Sequence, residues 1–157
     1  MNFTSEQLRF ASIPGHTIRA DFAGGGLSSD LGPLLLSGVD RQIGLTQRLT
    51  AALVDTRHAS YITHTYRDIL AQRIYQIGCG YEDGNDSNAL RNDPMFRLGA
   101  GRLPFDGDGD GGGALASAST ISRFEHAVSN KDIYRISQAL VEQFIASFAT
   151  PPKTLIL

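Results

Sequence analysis

The sequence predicts a mainly α fold with a small N-terminal β-hairpin, and three observations carry that expectation. Apolar residues recur at helical spacing from Leu34 onward; an alternating run, Ile18, Ala20 and Phe22, meets Gly24-Gly25-Gly26; and Pro151-Pro152 halts the last helical pattern. At 157 residues, 41% hydrophobic and 19% charged, the chain is one domain's worth and can bury a core, which excludes general disorder.

Residues 1–16 are expected to form an N-terminal tail, and 17–102 the hairpin and a helical region. Within "TIRADFAGGGLSSDLGPLLL" the reading is a strand, a turn or bulge at the three glycines, and a return segment closed by Gly32-Pro33. A phosphate-loop reading of the glycines fails because no Gly-Lys-Ser/Thr follows. Beyond it, Leu35, Val39 and Ile43 stand four apart on one helical face, and Leu45, Leu49, Ala52 and Leu53 continue as a second short helix. Asp55 to Ser60 reads as a polar loop.

The strongest periodicity is in "YITHTYRDILAQRIYQIGCGYED", where Ile62, Tyr66, Ile69, Leu70, Ile74 and Ile77 recur at helical spacing and polar residues fall between them. His64, at its start, reads as a surface or capping histidine, because no second His or carboxylate stands at ligand spacing. Cys79 is the single cysteine, which excludes an intramolecular disulfide, and its apolar neighbourhood marks it as a small buried hydrophobe.

Residues 103–116 are expected to be a flexible Gly/Asp loop. In it Asp106, Asp108 and Asp110 alternate ahead of Gly111, as at the opening of an EF-hand, but Ser117 stands where the twelfth-position Glu belongs and Gly113 where the loop's apolar anchor belongs. Residues 117–150 then read as a helical pair, a possible helix-turn-helix. Ser122-Arg123-Phe124-Glu125 fits a capping box for the first helix, with Ser119 or Thr120 as alternative caps. Ser129 or Asn130 caps the second, whose stripe runs Ile133, Ile136, Leu140, Phe144, Phe148.

Fourteen basic residues against sixteen acidic give a formal net charge of −2, so any nucleic-acid affinity must come from a local patch. The cations are almost all Arg, the better bidentate partner for phosphate and guanine, but a GC-rich genome gives the same bias, and that compositional reading comes first. No apolar run reaches the ~20 residues of a membrane span and no signal-peptide core opens the chain, so no membrane partner and a cytoplasmic location are expected.

Four blocks, "DFAGGGLSSDLGPLLLSGVDRQIGLTQRLTAAL", "QRIYQIGCGYEDGNDSNALRNDP", "LASASTISRFEHAVSNKDIYRISQALVEQFIAS" and "PPKTLIL", resemble the N-terminal part of bacterial insertion-sequence transposases of the DDE type. The most specific is "GYEDGNDSNALRNDP", supported by "STISRFE". The resemblance implies that residues 151–157 begin an RNase H-like catalytic domain, with Thr154–Leu157 as its first strand and the first catalytic aspartate beyond it. It therefore implies a fragment without the catalytic triad, inactive alone, with no cofactor of its own although the full-length family uses Mg²⁺. The implied partner is DNA at the terminal inverted repeats, with a homodimer possible. Arg123 is the first DNA-contacting candidate, followed by Arg67 and Arg73 and then Arg91 and Arg97; catalytic and metal-binding residues are expected to be none. The rival readings are a protein-interaction or dimerisation module, carried by the Ile133–Phe148 stripe, and an inactive remnant of a disrupted gene.

Overall fold

A computed structural model describes residues 30–104, 113–150 and 154, together with the backbone of 8–9 and 19–20. It is helical. The helices are α1 (Gly32–Ile43), α2 (Leu45–Ala51), α3 (Tyr66–Gly78), α4 (Asp86–Leu90), α5 (Pro94–Gly99), α6 (Ala118–Ala127) and α7 (Asn130–Ala146), with a single 3₁₀ turn at Ala59–Tyr61.

The expected fold class is corrected here. Among the described residues the β structure is one two-residue pairing, β1 (Leu8–Arg9) antiparallel to β2 (Arg19–Ala20), with Leu8 opposite Ala20. This is too short to count as the anticipated hairpin, and its partner lies upstream of the alternating run, not beyond the glycines. Gly32-Pro33 closes no return strand; it opens α1, where a proline in the first turn has no needed N–H to lose and a preset φ. No RNase H-like strand is seen either: Thr154 is irregular, and the rest of that run, like the Asp106–Gly112 part of the glycine-aspartate loop, lies outside the described residues.

The middle helix α3 is the axis of the fold. Its start is fixed by a capping box, in which Asp68 N–H donates to the Thr65 hydroxyl at 3.1 Å while Thr65 N–H donates to the Asp68 carboxylate at 3.0 Å. Its N-terminal half packs Tyr66 and Ile69 against Ala116, Ile121 and Phe124, the two rings meeting edge-on at 4.9 Å. Its C-terminal half packs Ala71 and Tyr75 with Leu90, Phe96 and Leu115. Helices α1, α2, α5 and α6 all contact α3, so even its glutamines are enclosed. Periodicity placed Ile77 on the inner face, yet it is half exposed, while Gln72 and Gln76 are buried.

Gln72 joins the two clusters. Its amide donates to the Ala116 carbonyl at 2.9 Å and accepts from Ala116 N–H at 2.8 Å, holding the irregular Gly113–Ser117 segment against α3. The same segment is tied to α4 by Leu115 N–H donating to the Arg91 carbonyl at 2.8 Å.

Helix α1 turns a different face inward from the one its spacing suggested. Leu35, Val39 and Ile43 are exposed, whereas Pro33, Leu34 and Ser37 are buried. The reason is the close crossing with α5: a Cβ on Gly99 would lie 2.9 Å from the Pro33 carbonyl oxygen, so only glycine permits it. Gly44, at φ 68°, ends α1 in the left-handed region and starts α2. Asp40 braces that corner, accepting from Thr46 N–H at 2.8 Å, the Thr46 hydroxyl at 2.5 Å and the Tyr75 hydroxyl at 3.1 Å. Burial, with the Asp40 charge beside it, pushes the Tyr75 phenol up to about 12.

Much of the "GYEDGNDSNALRNDP" block is structural. The Asp93 carboxylate caps α5 through Met95 and Phe96 N–H, Ser87 donates to Gln76 at 2.9 Å inside the core, and Asn88 accepts from Ala118 N–H at 3.1 Å. That last bond explains why α6 starts at Ala118, with Ser117 as N-cap, and not at the Ser122 capping box. Helix α7 does start in a capping box, between Ser129 and Asp132. It docks on α2, where Arg48 donates to Gln143 at 3.0 Å and pairs with Glu142 at 3.6 Å, while α6 packs on α3 and α4. Cys79 sits at the edge of the second cluster, and burial pushes its thiol up, away from the reactive thiolate.

Candidate nucleic-acid interface

Between the Thr56–Tyr66 segment and α6 lies a cavity of about 320 Å³. Its floor is apolar, made by Tyr66, Ile69 and Phe124 from the first core cluster. Thr56, Thr63 and Thr120, the cations Arg57 and Arg123, and His64 and Tyr61 also line it. Tyr61 is 84% exposed, with the His58 ring 5.8 Å away.

The two cations are held differently. Arg57 makes a two-pronged pair with Asp55, at 2.8 and 2.6 Å, and its guanidinium lies 4.3 Å from the centre of the Tyr66 ring. The hydrogen-bonded pair lowers the Asp55 pKa and raises that of Arg57, so both stay charged. Arg123 reaches only its own helix, donating to the Ser119 carbonyl at 3.1 Å and the Thr120 hydroxyl at 3.4 Å. Those bonds are exposed, so the guanidinium can exchange them for a ligand.

His64 is read from Arg102. The Arg102 guanidinium lies 3.1 Å from His64 Nδ1, and because an arginine can only donate, Nδ1 accepts and the neutral ring carries its proton on Nε2. Burial lowers the His64 pKa, as does the charge of Arg102 and, less, those of Arg91 and Arg57; Asp68 acts in the opposite sense. The folded pKa thus lies below the ordinary value of ~6.5, so the neutral ring's contribution to stability is complete above that value and is lost as pH falls through the folded pKa. A bound phosphate would favour the imidazolium and reverse the shift. An NMR titration of the His64 ring should give a midpoint below the ordinary value.

The arginines singled out from the sequence have different settings. Arg123 lines the cavity, and Arg91 lies close enough to affect His64. Arg73 is engaged by the protein, donating to the Glu82 carbonyl at 2.6 Å and pairing with Glu125 at 3.2 Å. Arg97 is 3% exposed. Arg67 is exposed at a second cavity of about 330 Å³, but there Arg41 and Arg67 face Asp40 and Asp68, which leaves no excess positive charge. Arg57, His64 and Arg102 were missed as a group because Arg102 comes from the loop after α5, far in sequence from the stretch that holds Arg57 and His64. The available signal was the stretch "TRHASYITHT", a run of basic, aromatic and hydroxyl residues between two helices.

The family model described as transposase DDE domain group 1 matches residues 10–157. The chain belongs to this transposase family. No curated protein and no solved structure matches it. Membership gives the chain a place in DNA transposition, whose chemistry in DDE transposases uses Mg²⁺. Among the described residues no three His, Cys, Asp or Glu side chains come together as metal ligands. Asp83 and Asp93 are occupied in turns and caps, accepting from Asn85 N–H and from the start of α5. The described residues of this transposase chain therefore do not fit the metal. Among them, no helix is long and apolar enough to cross a membrane.

Proposed function

We propose that this transposase chain binds DNA through the cavity face between Thr56–Tyr66 and α6, and that its natural target is the terminal inverted repeat of a bacterial insertion sequence. The observation that carries the reading is that Arg123, held only by exposed bonds on its own helix, lines one cavity together with Thr56, Thr63 and Thr120 and with Arg57, which Asp55 pairs. Hydroxyls and guanidinium groups are the donors that hold phosphates in register. On this reading the carboxylates of the described residues are scaffold, and strand-transfer chemistry depends on others.

Arg123→Ala is the test, because its contacts are confined to one turn of α6 and its loss leaves the core intact. The expected result is a loss of about 1 kcal/mol in duplex affinity, similar across sequences, with the salt dependence shallower by roughly one phosphate contact. Unchanged fluorescence anisotropy titrations for the variant would remove the cavity face from consideration.

A second reading is favoured by α7. Ile133, Leu140, Val141, Phe144, Ile145 and Phe148 are all exposed, a wide apolar face of the kind that mediates association. If it joins two copies, sedimentation will show a concentration-dependent dimer that Phe144→Glu abolishes; a monomer at all concentrations would refute it.

A further inference from the structure

We propose that His64 and Arg102 form a proton-operated latch: the neutral His64 ring holds Arg102 across to Ala114, and protonation of the ring frees the Gly113–Ala114 end of the segment that leads into α6. The latch is independent of the DNA-binding reading.

Arg102 has partners in three parts of the fold. Its guanidinium lies 3.1 Å from His64 Nδ1, 3.4 Å from the Ala114 carbonyl and 3.9 Å from the Asp68 carboxylate. The contact to His64 is the short one; that to Ala114 is at the outer edge of a hydrogen bond, and that to Asp68 is beyond it. A guanidinium can only donate, so it keeps this place while Nδ1 is a bare acceptor. A proton on Nδ1 sets donor against donor and cation against cation, and Arg102 must move away. The surrounding charges reinforce the effect. Arg91 just after α4 and Arg57 from the same segment as His64 add to the repulsion, and Arg123 of α6 lines the same cavity, whereas Asp68 of α3 acts the other way. Burial first, and these charges after it, push the His64 pKa down, so the latch is closed at neutral pH and opens as pH falls through a value below ~6.5.

The other bonds of the segment limit what is released. Leu115 N–H is held by the Arg91 carbonyl at 2.8 Å and Ala116 by Gln72, so the movement ends at Ala114. Gly113 is the pivot: its φ of 120° is open to glycine and rarely to other residues, and the Arg102 guanidinium lies 3.7 Å from where a Cβ would stand. Because His64 also lines the cavity, the latch joins the state of that surface to the entry of α6.

The experiment follows the His64 ring and the Leu115 amide nitrogen, which is bonded to the Ala114 carbonyl carbon, by NMR of the full chain from about pH 8 to about pH 4. The expected result is a Leu115 shift with the same midpoint as the His64 ring. His64→Asn, which offers an amide oxygen in place of Nδ1 and takes up no proton, should hold Leu115 at its neutral-pH position throughout. Arg102→Met should fix Leu115 at the acid position and raise the His64 midpoint, because a cation opposing the imidazolium is gone. A Leu115 signal that stays flat while His64 titrates overturns the latch, as does a His64 ring that takes up no proton in this range. So does a shift that survives in His64→Asn, which would belong to Asp68, or an unchanged His64 midpoint in Arg102→Met.

Discussion

Replacing Gln72 by Leu is expected to destabilise the chain by roughly 2–6 kcal/mol, a large part of a domain's total stability. The two side chains are close in size, so the effect comes from hydrogen bonding. Gln72 is 2% exposed and satisfies both the N–H and the carbonyl of Ala116, itself buried. Leucine would leave both backbone groups without a partner and without water, each costing about 1–3 kcal/mol. The loss should be felt in both core clusters, because Leu115 belongs to one and Ala116 to the other. Urea unfolding would check the magnitude, and hydrogen exchange at the Ala116 amide would check the cause. A midpoint unchanged from wild type would mean that the Gly113–Ser117 segment is held by something else.

Phe96→Ala is expected to cost about 3–5 kcal/mol, the range for emptying a buried aromatic site. Phe96 is 1% exposed, packed among Ala71, Tyr75, Leu90 and Leu115, and meets the Tyr81 ring edge-on at 5.8 Å. Helix α5, which carries it, spans only Pro94–Gly99 and depends on the Asp93 cap and this side chain for its position against α1. For a domain of this size the melting temperature should fall by roughly 10 °C. DNA affinity measured well below the new melting point should be unchanged, because Phe96 belongs to the second cluster and the proposed interface is built on the first.

The helices were legible where a cap and an apolar period coincide. Ser129 or Asn130 was expected to cap α7, and Ser129 does so with Asp132 completing the box; the run through Ile69 located α3. The β-hairpin was misread because a three-residue alternation is weak evidence for a strand, and because Gly-Pro ends a strand as readily as it begins a helix. The inward face of α1 was misjudged for a related reason. Periodicity finds an apolar stripe, but the crossing at Gly99 decides which face turns inward, and that crossing depends on residues some sixty positions away.

For the candidate site, Arg123 was legible from its place after small hydroxyl residues, while its companions were not. His64 read as a cap because the residue that defines it, Arg102, is on a loop 38 positions later. Arg73 looked as available as Arg67 from helical spacing alone, yet it is bonded to the Glu82 carbonyl and Glu125. Spacing tells which residues share a face; it does not tell which of them the tertiary fold will occupy.

The most direct measurement of the central claim is an NMR map of backbone amide shifts as duplex DNA is added to the full chain. Binding at the cavity face predicts the largest changes within residues 56–66 and 118–127, including Thr63, His64, Thr120 and Arg123, with α7 beyond Leu140 unaffected. Changes confined to α7, or centred on the Arg41 and Arg67 cavity, would contradict it.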